Sequence, residues 1–328
     1  MHAIVTNNLS KKFNGITAVD SVSISISEGE FFGLLGPNGA GKTTFISMLC
    51  TTLKPSIGAA KVWGYDVQKE PDKVRKVIGI VFQDPSSDLN LTGKENLDFH
   101  ARLYGLEKYQ REKRIGEVLE LVELSDRADD LVKTYSGGMQ RRLELARGLI
   151  HFPKVLFLDE PTLGLDPQSR RRIWKYIEKI NREEKITIIL TTHYMEEADY
   201  LCGRVAIIDR GKIIALDTPS KLKSIVGRDM ITVESSDSLK LLELLEKKDF
   251  VKGANLMNET INLSVEEGEK LIPKVIEIAG AAEIQVISVG LRKPTLEDVF
   301  IYYTGKTIRE EGGDSKERMR SIIRAKRR

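Results

Sequence analysis

The sequence predicts an α/β fold organised around a parallel sheet, followed by a smaller α+β domain. Three stretches carry this prediction: the glycine-rich segment GPNGAGKTT directly after the apolar run FFGLL, the run VLFLDE at residues 155–160, and a strand and helix pattern that restarts after residue 225. Uninterrupted apolar runs are typical of parallel strands covered on both faces. A chain of 328 residues is long enough for about two such domains.

Composition and charge restrict the classes of function that we expect for this chain. The charged fraction of 30% is that of a soluble globular protein, and no apolar stretch reaches the ~20 residues of a membrane span, so we expect a chain that does not itself line a pore. Cys50 and Cys202 form neither a disulfide framework nor a metal-ligand spacing, and there is no signal-peptide pattern, which together favour the cytoplasm. A net charge of +3 is too small to indicate nucleic-acid binding.

The glycine-rich segment has the spacing of a phosphate-binding loop, because Gly36 is followed after four residues by Gly41, Lys42 and Thr43. Glycines let backbone N–H groups turn toward an anion, and a helix that begins near Lys42 directs its positive end to the same place. Lys42 would bind the outer phosphates and the Thr43 hydroxyl would bind magnesium. The alternative is a glycine-rich turn that binds no ligand, but such a turn would not need lysine and threonine at positions 42 and 43. The expected phosphate-binding residues are Gly36, Pro37, Asn38, Gly39, Ala40, Gly41, Lys42, Thr43 and Thr44.

Two carboxylates end the apolar run VLFLDE. Ligands of open α/β sheets bind beyond the carboxyl ends of the strands, so Asp159 and Glu160 should lie beside the phosphate loop. Adjacent strand residues point in opposite directions, so we expect Asp159 to hold Mg²⁺ and Glu160 to polarise the attacking water. An acidic strand end that faces solvent is the alternative.

A second glycine pair lies in TYSGGMQRRLELARG, residues 134–148. Ser136 is a helix cap, and Gly137 and Gly138 in the first turn cost about 1 kcal/mol each relative to alanine. Because the sequence retains both glycines despite this cost, we expect that backbone without side chains is needed there. This would make the start of the helix a second anion-binding site. A flexible start to the helix remains an open alternative for this stretch alone.

The motifs together resemble those of the nucleotide-binding subunit of an ATP-binding-cassette (ABC) transporter, over about residues 1–225. They are the phosphate loop, YSGGM, VLFLDE, GLD at 164–166 and His193. The resemblance implies a P-loop NTPase fold with a RecA-like core, an antiparallel β subdomain and a helical subdomain at about residues 84–152. It implies ATP and Mg²⁺ as ligands, and two cassettes bound head to tail, so that Ser136, Gly137 and Gly138 close over the partner's ATP. Tyr135 and Met139 depart from the family signature.

The same resemblance assigns roles to four further residues. Gln83, at the end of IGIVFQ, would reach Mg²⁺ or the water, and His193 would touch the γ-phosphate. Phe13 would stack on adenine, with a core phenylalanine as the alternative. Asp166 would communicate across the dimer.

After residue 225 the order βαββαβ predicts a ferredoxin-like domain over residues 229–305. The expected strands cover residues 230–234, 251–257, 260–265 and 284–289, with a hairpin around Asn258 and a second helix over residues 269–279 that Gly280 stops. PTLEDVFIYYTG at 294–305 is similar to the end of cassettes that serve drug, lipid or polysaccharide exporters, the daunorubicin-resistance-like ABC-2 group. The basic residues 306–328 are either a solvated tail or a contact with anionic lipid.

We therefore expect an ATP-hydrolysing subunit that dimerises, as a homodimer or paired cassette, and drives a separate membrane permease of export type at the cytoplasmic face of the membrane. A soluble ABC ATPase of DNA repair or translation is one alternative, although no heptad run separates Lys42 from Ser136 and only one motif set is present. A nucleotide-gated scaffold is the other.

Overall fold

The computed structural model describes residues 1–226, 229–257 and 260–304; Asn258 and the basic residues 306–328 lie outside the described residues. Contacts between Cα atoms divide the described chain into two compact units, one covering Met1–Pro219 and one that begins at Ser220. Within these residues, no helix combines the length and the apolar character needed to cross a membrane.

The first unit contains eleven named strands and seven helices. The strands are β1 (His2–Phe13), β2 (Ile16–Val22), β3 (Ser25–Ser27), β4 (Phe31–Leu35), β5 (Ile57–Val62), β6 (Tyr65–Asp66), β7 (Ile78–Val81), β8 (Val155–Asp159), β9 (Thr187–Thr192), β10 (Arg204–Asp209) and β11 (Lys212–Asp217). The helices are α1 (Lys42–Leu49), α2 (Pro71–Val77), α3 (Gly93–Leu103), α4 (Lys108–Leu121), α5 (Gly137–Leu149), α6 (Pro167–Glu184) and α7 (Met195–Leu201). Helix α8 (Pro219–Val226) follows.

Two sheets organise this unit. A six-stranded sheet has the order β11-β10-β4-β9-β8-β7, and its strands are parallel except for the antiparallel edge strand β11. An antiparallel sheet is built from β1, β2, β3, β5 and β6. The predicted RecA-like core and antiparallel β subdomain are therefore confirmed. Since β4, β9 and β8 are adjacent and parallel, their carboxyl ends meet at one edge.

The core holds that edge in place. Phe32 of β4, Phe157 of β8 and Ile189 of β9 are buried in one apolar cluster together with Phe45 of α1. Burial of such side chains stabilises the fold by roughly 1.5–3 kcal/mol each. Helix α1 is thus fixed against the sheet, and the loop that precedes it is fixed with it.

Helices α3, α4 and α5 form the predicted helical region. Helix α3 begins with a capping box, in which Thr92 Oγ1 accepts from Glu95 N and Glu95 Oε2 accepts from Thr92 N. At its other end the region packs closely on the core sheet: a Cβ atom on Gly79 of β7 would lie 2.1 Å from the carbonyl oxygen of Gly148 in α5. Only glycine allows this approach.

The second unit has the predicted ferredoxin-like order. Its elements after α8 are β12 (Asp229–Ser235), α9 (Ser238–Glu246), β13 (Val251–Met257), β14 (Thr260–Val265), α10 (Gly268–Ala281), β15 (Val286–Arg292) and α11 (Leu296–Thr304). The antiparallel sheet has the order β13-β14-β12-β15. Two details of the prediction are wrong: α10 continues through Gly280 to Ala281, and the last strand begins at Val286, because the apolar Ile284 fills the core before the strand starts.

Candidate functional site

The polar loops meet at the edge where β4, β8 and β9 end. The phosphate loop follows β4, Asp159 ends β8 and His193 follows β9. Backbone hydrogen bonds hold the loops together, since Gly36 N donates to Thr192 O over 3.3 Å and Glu160 N donates to Thr191 O over 3.1 Å. The structure therefore brings three sequence motifs into one site.

The backbone of the loop requires glycine at two positions. A Cβ atom on Gly36 would lie 2.3 Å from Ile208 O. Gly41 has φ +110°, and its Cβ atom would lie 2.4 Å from Ala18 O. Helix α1 begins at the next residue, so the unpaired N–H groups of its first turn point into the loop. This cradle fits a phosphate group.

Lys42 lies buried at the centre of the loop, 4% exposed. Its Nζ atom donates to Gly36 O over 2.8 Å and to Pro37 O over 3.1 Å, and lies 3.2 Å from Glu160 Oε1. Burial lowers the pKa of Lys42, while the charges of Glu160 and Asp159 act in the opposite direction. The ammonium group is thus held where a bound anion would stabilise it further.

Glu160 does not continue strand β8, which ends at Asp159. Its backbone has φ +49°, in the left-handed region that is uncommon for residues other than glycine. The expectation that strand alternation separates Asp159 from Glu160 is therefore wrong, because a change in backbone conformation separates them. Burial by itself raises the pKa of Glu160, but the nearby His193 and Lys42 outweigh it and lower that pKa. The carboxylate is ionised at neutral pH.

His193 lies on the other side of Glu160. Its Nδ1 atom is 3.3 Å from Glu160 Oε2. The ring of Tyr194 lies 4.1 Å from the His193 ring, and the guanidinium carbon of Arg170 in α6 lies 3.9 Å from the centre of the Tyr194 ring. Sequence reasoning missed Tyr194 and Arg170; only the position of Tyr194 next to His193 could have suggested a role.

Oxygen atoms suited to magnesium surround this site. Asp159 is buried, and its Oδ1 accepts a hydrogen bond from the Thr191 hydroxyl, while Thr43 and Gln83 are exposed. Gln83 follows β7, which is adjacent to β8, so it belongs to the same edge. Among the described residues, no group of three or more histidine, cysteine, aspartate or glutamate side chains is arranged so that it could hold a metal ion by itself. Mg²⁺ usually takes one or two carboxylates plus substrate phosphates, so this donor set fits it.

Arg141 connects helix α5 to the site and was also missed. Its Nε donates to Pro161 O over 2.5 Å, and its Nη1 donates to Phe82 O over 2.6 Å. Its Nη2 donates to the carbonyl oxygens of Asp159 and Glu160 over 3.4 and 3.3 Å. A single arginine in a helix predicts no such contacts, because its partners are up to 59 residues away in sequence.

Helix α5 begins as predicted, with the Ser136 hydroxyl accepting from Met139 N over 3.3 Å. Packing within the chain does not require the following glycines: Cβ atoms on Gly137 and Gly138 would have no neighbour nearer than 3.8 Å. Tyr135, which departs from the family signature, packs within the chain: its side chain is buried, and its hydroxyl donates to Arg127 O over 2.6 Å.

Two other expected site residues lie at the ends of secondary-structure elements. Phe13 is the last residue of β1 and is partly buried, and Lys11 Nζ lies 5.1 Å from the centre of its ring, so its role in stacking stays a prediction. Asp166 caps α6, accepting from the backbone N–H groups of Gln168 and Ser169 over 3.0 Å each.

Known proteins match both units of the chain. The ABC transporter family matches residues 19–163, and the C-terminal domain of ATP-binding proteins like DrrA1-3 matches residues 218–304. The linearmycin resistance ATP-binding protein of Bacillus subtilis is 39% identical over 307 residues, which cover 92% of this chain and 98% of that protein. The daunorubicin/doxorubicin resistance ATP-binding protein of Streptomyces peucetius is 38% identical over 307 residues, 92% of each chain.

Solved structures match the first part of the chain. The chain resembles cbiO1 from Clostridium perfringens with a TM-score of 0.64 and 29% identity, over 69% of this chain and 93% of that one. It resembles the dimeric post-hydrolysis state of the cassette MJ0796 bound to ADP and Pi with a TM-score of 0.59 and 28% identity, over 66% and 98% of the chains. This chain therefore belongs to the ABC transporter family, as an ATP-hydrolysing, nucleotide-binding subunit of the export type.

Proposed function

We propose that Glu160 polarises the water that attacks the terminal phosphate of ATP. The observation that carries this role is the convergence of two side chains on its two oxygens, Lys42 at 3.2 Å from Oε1 and His193 at 3.3 Å from Oε2. An ionised carboxylate with a lowered pKa accepts a hydrogen bond from water without removing the proton early. In phosphoryl transfer, positioning and charge stabilisation of this kind carry most of the catalysis.

The remaining site residues take supporting roles. Lys42 offsets charge on the outer phosphates, and His193 binds the γ-phosphate beside Glu160. Thr43, Asp159 and Gln83 would hold Mg²⁺, and its charge would offset the negative charge of the phosphates. Phe13 would stack on the adenine ring.

A second copy of the cassette would complete each site. Gly137 and Gly138 support this, because both residues lower helix stability by about 1 kcal/mol relative to alanine, although a Cβ atom at either position would make only ordinary contacts at 3.8 Å in its own chain. A phosphate group held by a partner's loop could approach this bare backbone and the Ser136 hydroxyl. Asp166, at the start of α6, would lie at the same interface. The partner is either an identical chain or a paired cassette.

Exposed apolar side chains on the helical region support docking to a membrane permease. Phe99 and Leu103, one helical turn apart on α3, are 60% and 67% exposed. Tyr104, the residue that follows Leu103, is also exposed. Large apolar side chains grouped in this way mark interaction sites. A cytoplasmic helix of the permease would bind here and hold the chain at the cytoplasmic face of the membrane.

For the whole chain, we propose a cassette domain over residues 1–225 and an accessory domain over residues 229–305, with the basic residues 306–328 available to anionic lipid. The names of the relatives refer to resistance to linearmycin and to daunorubicin or doxorubicin. We extend to this chain only that its transporter exports a small organic compound.

Two measurements test the proposal. Glu160→Gln should bind ATP as the unchanged chain does, accumulate ATP-bound dimer and lose at least ~100-fold of its turnover. Unchanged turnover would exclude Glu160 from this role. Affinity purification in mild detergent should recover an integral membrane protein; recovery of soluble partners alone would contradict the transporter partner.

A further inference from the structure

Glu144 of helix α5 is a buried carboxylate that the proposed chemistry does not use. It is 3% exposed and accepts four hydrogen bonds from two neighbouring serines. Ser86 donates through N and Oγ over 3.0 Å each, and Ser87 donates through N over 2.8 Å and through Oγ over 2.5 Å. Arg147 Nη1, one turn later in α5, lies 3.0 Å from Glu144 Oε1.

This carboxylate is charged. Burial alone raises the pKa of Glu144, but the Arg147 charge and the serine hydrogen bonds outweigh it and lower that pKa. Hydrogen bonds to an ionised group are roughly twice as strong as neutral ones. The contact between α5 and the two serines is therefore strong as well as specific.

The segment that Glu144 holds carries Gln83. On one side of Gln83, Arg141 binds the Phe82 carbonyl oxygen over 2.6 Å. On the other side, Glu144 binds Ser86 and Ser87, while Gln83 itself is exposed. Two side chains of α5 thus fix the backbone on both sides of Gln83, while the Gln83 side chain stays exposed.

The same segment is tied to α3. Asp88 N donates to Asn96 Oδ1 over 2.8 Å, and Asn96 Nδ2 donates back to Asp88 O over 2.9 Å. Asn96 is buried in α3, one turn before the exposed Phe99. A continuous set of hydrogen bonds therefore runs from the helix with the exposed apolar surface, through the segment 86–88, to the helix that begins at Ser136.

We propose that Glu144 is a positioning residue for Gln83. By fixing Ser86 and Ser87 to α5, it holds the backbone that carries Gln83 in one position at the edge of the sheet. The inference rests on the proposed role of Gln83 at the metal.

The test compares Mg²⁺ dependence of turnover with nucleotide binding. Glu144→Ala should raise the Mg²⁺ concentration for half-maximal turnover and lower kcat, each by about tenfold, because charge-assisted bonds are lost. Binding of a fluorescent ATP analogue without Mg²⁺ should stay within about twofold, since Glu144 contacts none of the loop from Gly36 to Thr44. Ser86→Ala with Ser87→Ala removes two of the four serine donors and should give a smaller change in the same direction.

Gln140→Ala is the matched control on the same helix, because the Gln140 side chain makes a long hydrogen bond of 3.4 Å to Tyr135 O and not to the serines, and it should leave both values unchanged. If Glu144→Ala does not fold, Glu144→Gln keeps the side-chain shape while removing the charge and should show the Mg²⁺ shift. In a Gln83→Ala background, Glu144→Ala should add less than about twofold to that shift.

The outcomes separate two failures. A Mg²⁺ shift in Gln83→Ala but none in Glu144→Ala, or an equal shift from Glu144→Ala with and without Gln83, overturns the positioning role alone. No change in Gln83→Ala removes the proposed metal role of Gln83 and overturns this inference with it.

Discussion

Lys42 Nζ lies 3.2 Å from Glu160 Oε1, and the two side chains are 4% and 8% exposed. A pair of charges taken out of water is only modestly stabilising, but removal of one partner leaves the other buried and uncompensated. The two residues proposed to bind phosphate and to polarise water are thus dependent on each other for stability.

Lys42→Met should therefore lower the free energy of unfolding by ~3 kcal/mol, because Glu160 loses its buried cation. Adding Glu160→Gln to Lys42→Met should restore most of that loss but not ATP binding. Urea unfolding of the two single variants and the double variant measures the coupling. Strictly additive effects would show that the pair is not coupled.

Two inactive variants should complement each other. Lys42→Ala removes contacts worth roughly 1.5–3 kcal/mol each, so ATP binding to its own loop should fall at least tenfold. Ser136→Arg should block closure over the partner's nucleotide by steric bulk. In a mixed dimer both defects fall in one site, so ATP-dependent dimerisation should recover, as measured by light scattering. Absence of recovery with folded, exchanging chains would favour sites built within one chain.

Turnover should depend on the aromatic ring of Tyr194, which lies between Arg170 and His193, and not on its hydroxyl group. Tyr194→Phe keeps the cation–π contact at 3.9 Å and should retain turnover within about twofold. Tyr194→Ala leaves His193 without its neighbour, so turnover should fall about tenfold or more at saturating ATP with little change in ATP affinity. Equal activity of the two variants would remove the stack from the mechanism.

Stability should fall on mild acidification because of two histidines. Burial and the neighbouring Arg147 and His151 charges lower the pKa of His100 to about 4, and burial lowers the pKa of His151 to about 4. The unfolded chain therefore binds protons first, so stability is complete above pH ~6.5 and declines as pH falls toward ~4. The denaturation midpoint should decline between pH 7 and 5. Combined His100→Asn and His151→Asn should flatten that decline, whereas the exposed His2→Asn should not.

Permease docking should depend on the exposed face of α3. Phe99→Ser with Leu103→Ser should leave ATP binding and folding unchanged, because both side chains are mostly exposed. Co-purification of the membrane partner should fall at least about tenfold, as expected when central apolar contacts are removed. Leu239→Ser, also 67% exposed but in the second unit, is the matched control. Undiminished co-purification would place the docking surface elsewhere.

The motifs were predictable because their information is local. The loop from Gly36 to Thr44 and the cap at Ser136 follow from spacing and from the residue types that turns and caps require. Arg141 and Glu144 could not be predicted, since their partners lie about 60 residues away in sequence. The left-handed backbone of Glu160 also escaped prediction, because nothing in VLFLDE distinguishes it from a continuing strand.

The close approach of Gly79 to Gly148 fixes the carboxyl end of helix α5 against strand β7. With no room for a methyl group there, the carboxyl end of α5 cannot slide over β7, whereas a Cβ atom on Gly137 in its first turn would meet only an ordinary contact, 3.8 Å from the Leu165 side chain. Ser136 lies about 18 Å from Gly148 along the helix axis, so a rotation of ~10° about that end moves Ser136 by ~3 Å, one hydrogen-bond length. Glu144, only about 6 Å from the fixed end, moves by ~1 Å. If Ser136 contacts a partner's nucleotide as proposed, such a rotation would make or break that contact while Glu144 keeps its hydrogen bonds to Ser86 and Ser87.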